Sequence, residues 1–310
     1  MRLSASLALL VPFLHGAAFE LPSPFPKEGT PFRLSLEEEN DKFGMDNLDR
    51  YYTQGMRFTL QSGDHAYLTV TQEINTPSDT TNPSPPVTDL PYSGALHLAY
   101  GYGHVFDRSG RKDVLMSAEL KVGVIGPSSG AETIQNKFHA LIGTPEAAGW
   151  GQQIPDEFLI NFDVELRRRF GDDRLDVIAR STAQLGSMRS GFIVGAQARW
   201  GRGLDGSWGH GTIRGNNAYL GPIDGRRGFR WDLFADVQAE VVVSNYATDG
   251  GFFLNSPSVV RRPVVGQFSI GAEMRHESFS FALFNAVRTY EFKTQAEAHY
   301  FGGFKAAASF

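Results

Sequence analysis

The chain alternates, and the period is two. Phe229, Trp231, Leu233, Ala235, Val237, Ala239, Val241 and Val243 stand one apart, and Arg230, Asp232, Asp236, Gln238 and Glu240 fill the gaps. Val114, Met116, Ala118, Leu120, Val122 and Val124 repeat the pattern, as do Ile160, Phe162, Val164 and Leu166, and Phe268, Ile270, Ala272 and Met274. Successive side chains of a strand point to opposite faces, so each such segment is a strand with one apolar and one charged face. The segments run about 9–14 residues, longer than the ~5–6 residues usual in soluble sheets.

Two architectures fit a long strand of this kind. In a soluble sandwich the apolar face is core and the charged face is surface. In a transmembrane barrel the apolar face meets lipid and the charged face lines the interior. Both chain ends favour the barrel. Residues 1–18, MRLSASLALLVPFLHGAA, place one Arg before an apolar run, with Gly16 and Ala18 ahead of a cleavage point. That is the form of a secretory signal peptide, too short to span a bilayer. At the other end Phe304, Ala306, Ala308 and Phe310 alternate to the last position, and the chain stops on an aromatic residue, as outer-membrane barrels commonly do.

Twelve strands are expected, at about 32–39, 51–61, 64–75, 93–106, 112–125, 157–170, 173–185, 190–200, 229–246, 263–277, 278–292 and 297–310. The fold class is therefore all-β, a closed antiparallel up-and-down barrel in residues 19–310, with the signal peptide before it. An even count puts both ends on the periplasmic rim, with the long connections 40–50, 76–92 and 126–156 on the outer rim. Residues 201–227 are long and glycine-rich where a short periplasmic turn belongs, and suit a plug or a cap.

Composition closes other routes. There is no cysteine, which excludes disulfides, thiol catalysis and Cys-zinc sites. A net charge of −5 with mixed signs gives no basic stripe for nucleic acid.

One segment breaks the period. In 130–142, GAETIQNKFHALI, residues Ile134, Phe138, Leu141 and Ile142 have helical spacing, after a turn at Gly126–Ser129 and before a stop at Gly143-Thr144-Pro145. Gln135 and His139 are four apart and share a face of this outer-loop helix, near a barrel mouth lined with polar side chains. A lone histidine on such a face is more often structural than catalytic. A second cluster, Asn40-Asp41 with Tyr51-Tyr52-Thr53-Gln54, meets across a hairpin at the same rim. Its oxygens suit a hard cation such as calcium. They also read as an ordinary turn and strand start.

The motifs together resemble a known family. Asn40-Asp41-x-Phe43, Asp49-Arg50-Tyr51-Tyr52-Thr53-x-Gly55 and Gln72-x-Ile74-x-Thr76-Pro77 stand in its order. So do Asp89-x-Pro91-Tyr92-x-Gly94, Gly123 to Pro127, Gln135-Asn136-x-x-His139, Gly149-Trp150 with Gln153, and Arg288-Thr289-x-Glu291-Phe292 with Gln295. This pattern is similar to that of the outer-membrane lipid A 3'-O-deacylases of the LpxR type, over essentially the whole mature chain. The resemblance implies a twelve-stranded barrel with its active site at the outer rim, and a calcium-dependent hydrolysis that removes the 3'-linked acyloxyacyl chain. It implies lipid A of lipopolysaccharide as substrate, and a catalytic set of Asn40, Asp41, Thr53, Gln135 and His139, with Asn40 and Asp41 toward Ca2+. Within it His139 suits a general base toward water. A monomer in the bacterial outer membrane is expected.

The chain departs from the family at Leu90, where Arg is usual, at Asn82-Pro83, where some members carry Lys/Arg, and at Pro145, where some have Glu. Those positions concern phosphate binding and the metal shell. Two other functions find some support in the sequence. His276-Glu277-Ser278 resembles the His-x-Ser of outer-membrane serine phospholipases but lacks the following glycine. A passive channel or structural barrel would need no helix bearing Gln135 and His139.

Overall fold

The computed structural model describes residues 22–45, 49–63, 65–108, 111–223, 225 and 228–310. The expected signal peptide, 1–18, lies outside the described residues. Twelve strands are present: β1 (Phe32–Asn40), β2 (Tyr51–Ser62), β3 (Ala66–Thr76), β4 (Ser93–Arg108), β5 (Arg111–Ile125), β6 (Glu157–Gly171), β7 (Leu175–Gly186), β8 (Arg189–Arg202), β9 (Phe229–Asn245), β10 (Val264–His276), β11 (Phe279–Arg288) and β12 (His299–Ser309). Each pairs antiparallel with its neighbours in sequence, and β1 pairs with β12, so the sheet is a closed barrel. Among the described residues two α-helices lie outside the sheet, α1 (Ala131–Ile142) and the short α2 (Tyr246–Asp249).

Expected and observed strands agree closely except at β11. The alternation suggested 278–292, and the strand stops at Arg288. There the guanidinium turns inward onto Glu240 and Glu291, and the Thr289 hydroxyl takes the Gly266 N–H at 2.8 Å. Phe292 leaves the wall and packs edge-on against Tyr51.

Burial settles which face is which. On β9, Phe229, Leu233, Val237 and Val241 are each about half exposed, while Arg230, Asp232, Asp236, Gln238 and Glu240 between them are buried. The apolar face is thus the outer wall, and the charges point into the lumen. Buried charges are tolerated only when paired. Here Arg57 meets Glu37 at 2.6 Å, Lys121 meets Asp163 at 2.6 Å and Arg275 meets Asp232 at 3.0 Å.

Residues 203–222 fill the lumen. They leave the short-turn rim after β8 and run up the barrel axis. Along the way Gln61 Nε2 donates to Gly221 O at 2.8 Å, Tyr219 stacks on Tyr67, and Asn216 Nδ2 donates to Glu165 at 3.0 Å. Ile213 N donates to Glu39 at 2.8 Å. At the top, Arg214 lies 3.8 Å over the Tyr52 ring and donates to Glu73 at 3.1 Å. Lower down, His210 is clamped between Asp232 and Glu273, both also held by Arg275. The glycine-rich segment is a plug, built from backbone and amide groups that satisfy inward-facing carboxylates.

Candidate active site

Three pieces of chain converge at the loop-rim end of β1, β2 and β3, on the outside of the wall. The first is a turn. Asn40 ends β1, and its Oδ1 accepts from Lys42 N at 2.9 Å, capping a short 3-10 turn over Asp41–Phe43. The turn lies against the outer face of β12. A Cβ on Gly302 would come within 2.5 Å of Phe43 O, so only glycine permits this approach.

The second piece is the start of β2. Tyr51 has φ of 63°, a strained value for a bulky side chain. The register then shifts between Tyr52 and Gln54. Tyr52 points into the lumen and donates to Glu39 at 2.7 Å. Thr53, displaced by the bulge, points outward with its hydroxyl 2.7 Å from that of Thr76. Gln54 pairs in register with Asn40 and also faces outward.

The third piece is α1. A turn at Pro127–Ser129 precedes it, and Gly130 and Gly143 at its ends both adopt left-handed backbone. The helix packs on the outer face of β4, where a Cβ on Gly94 would lie 2.3 Å from that of Ala131. Ala131, Gln135 and His139 form the face turned to the wall and are buried. Ile134, Leu141 and Ile142 are exposed, as suits a helix lying in a membrane interface.

The five residues expected from sequence come together. Asn40, Asp41, Thr53, Gln135 and His139 line one small pocket with Lys42, Asp49, Gln54, Phe138 and Ile142. His139 Nδ1 is 2.7 Å from Pro145 O, and a carbonyl only accepts, so that nitrogen carries a proton. Nε2 faces Asp49 Oδ2 at 2.9 Å, close as an ion pair but not aligned as a hydrogen bond. Gln135 is held by Trp150, whose Nε1–H donates to its Oε1 at 2.8 Å, and its Nε2 approaches Asp49 Oδ1 at 3.4 Å. Arg50 N donates to Asp41 Oδ2 at 2.6 Å, while Asp41 Oδ1 is buried without a partner.

Burial, and then the charge of Asp49, push the Asp41 carboxyl well above its ordinary value. Burial also raises Asp49, against the pull of His139, Lys42 and the Thr53 hydroxyl. Two crowded carboxylates, each with an oxygen that makes no hydrogen bond, form a hard oxygen set that suits a divalent cation such as calcium. Asp41 and Asp49 would hold it, with the Thr53 hydroxyl at hand. Asn40 Oδ1 is engaged in its own turn.

Two features differ from the sequence reading. The site faces the membrane side of the wall, not the polar mouth, because the bulge turns Thr53 outward. And Asp49 and Trp150, present in the quoted motifs without a role, touch His139 and Gln135 directly. Pro145, where some family members have Glu, instead orients His139 through its backbone carbonyl.

Fold and site together define a plugged outer-membrane barrel with a buried polar centre on its lipid-facing wall. The family model described as outer membrane protein LpxR matches residues 3–310, and the chain belongs to that family. Its place is the bacterial outer membrane. Among solved structures, LpxR from Salmonella typhimurium is 21% identical with a TM-score of 0.72, covering 89% of this chain and 99% of its own. The β domain of the Bordetella autotransporter BrkA is 10% identical with a TM-score of 0.42, covering 91% and 98%. No curated protein matches the sequence.

Proposed function

We propose that the chain is a calcium-dependent lipid A 3'-O-deacylase, acting as a monomer on lipopolysaccharide in the membrane that holds it. The supporting observation is the direction of the site. His139, Asp41, Asp49 and Thr53 sit between α1 and the outward wall, on the side of the barrel that meets the bilayer.

His139 is the general base. Its Nδ1–H is bound by the Pro145 carbonyl, which leaves Nε2 to take a proton from water. The water oxygen bonds to the ester carbonyl carbon. The bond from that carbon to the sugar oxygen then breaks, and the proton passes from His139 to the departing oxygen. The products are the free acid and a free 3' hydroxyl. Gln135, fixed by Trp150, and Asp49 hold the imidazole and the water in register. A bound calcium ion would supply positive charge against the developing oxyanion.

Two observations weigh against the other readings. Ser278 lies in the two-residue β10–β11 turn, at the rim opposite the site. The plug fills the lumen a channel would need.

Mass spectrometry of lipid A from cells expressing the protein tests the proposal. Wild type should remove the 3' acyloxyacyl mass with calcium and not with a chelator, and His139→Ala should remove nothing. Loss that persists in His139→Ala would refute the base.

A further inference from the structure

β1 carries three consecutive acids. Glu37 and Glu39 point into the lumen, where Arg57 and the plug meet them. Glu38 between them points out at the membrane, flanked in register by Phe304 and Met56. Among the described strand residues no other carboxylate shares that face. A charge there is unfavourable and finds one protein partner. Gln54 Nε2 donates to Glu38 Oε1 at 2.9 Å, and Glu38 Oε2 is buried without a hydrogen bond.

Its position is informative. Gln54 lines the catalytic pocket, so it bridges that pocket to Glu38. Glu38 lies two residues below Asn40, about 7 Å along the strand. Below it the wall is apolar, a trough floored by Ala306 and Ala308 and edged by Leu36 and Phe58. Glu38 therefore marks the level at which a bound lipid passes from polar linkage to acyl chain. What it lacks is a donor, and the donor must come from the ligand.

We propose that Glu38, held by Gln54, is a specificity-determining residue that accepts a hydrogen bond from the amide N–H of an N-acylated amino sugar beside the scissile ester. The inference rests on the deacylase reading and deepens it. An N-acylated glucosamine lipid has that N–H next to its 3' ester. A glycerophospholipid has ester linkages and no N–H at that depth, so the contact distinguishes the two.

The test uses the full-length protein with Glu38→Leu and Glu38→Gln. Leucine suits a lipid-facing position, so E38L should fold, as read by heat-modifiable mobility. It should lose about tenfold of kcat/KM on lipid A, chiefly through KM, because a hydrogen bond to the substrate is removed. E38Q keeps an acceptor oxygen and should lose less, and carries the test alone if E38L does not fold. On an analogue with the neighbouring amide replaced by an ester, wild type should fall to the E38L level and E38L should lose no more. Equal kcat/KM for wild type and both variants on lipid A, or equal losses on the amide and ester substrates, overturns the inference alone. A wild type that releases no chain overturns the deacylase reading, and this inference with it.

Discussion

His139 Nε2 and Asp49 Oδ2 lie 2.9 Å apart with the imidazole's other nitrogen bound to a carbonyl. Without a proton between them, two lone pairs would face each other. Burial holds the Asp49 carboxyl above its usual range, against the pull of His139, Lys42 and the Thr53 hydroxyl. A cation that drew Asp49 to itself would free Nε2 to act as base. Asp49→Asn places an amide against that nitrogen, and an amide N–H would occupy the lone pair. We expect kcat to fall about 10–100-fold with weaker calcium binding. Wild-type turnover in a purified Asp49→Asn variant would remove Asp49 from the machinery.

Calcium affinity should rise with pH. Asp41 and Asp49 both have raised values in the folded, cation-free site, first through burial. Groups of this sign stabilise the fold below their unfolded values, and that contribution is lost as pH rises through the folded ones. The cation takes the ionised form, so binding strengthens over the same window and weakens as the pair reprotonates. Calorimetric titration from about pH 5 to about pH 8 reads this directly. A flat affinity would count against both carboxylates as ligands.

Gly302→Val should separate folding from activity. The glycine's backbone stays in register with Asn40 and Asn285, so the barrel should still close. The added side chain would collide with the Phe43 carbonyl and lift the turn that carries Asp41. Displacement of that order costs roughly 10²-fold in rate. Heat-modifiable mobility and lipid A mass spectrometry together give the result, and full activity would show that the turn tolerates the shift.

Removing residues 207–222 should turn the barrel into a pore. Planar-bilayer recordings of wild type are expected to be silent, and the deletion to conduct. Conductance in wild type would mean that the plug leaves a path beside it.

The strands were legible because one physical demand, lipid outside and charge inside, writes itself into every second residue. Gln135 and His139 were legible as a pair because helical spacing puts i and i+4 together. The facing of Thr53 was not. Strict alternation from Arg57 through Gly55 puts Thr53 in the lumen, and only the register shift at Tyr52 reverses it. A bulge has no compositional mark there. Asp49 lay hidden for a related reason, since it belongs to a loop whose course is set by contacts with α1, far away in sequence. The plug was visible as an anomaly, but its partners are lumenal acids from six strands that no local pattern connects.

The outward-facing pocket also changes what concentration means for this protein. A ligand reaching it moves within a leaflet, in two dimensions, and never crosses bulk water. Occupancy then follows the ligand's mole fraction among neighbouring lipids. Dilution with other lipids, at constant total amount, should slow the protein as surely as removing its substrate.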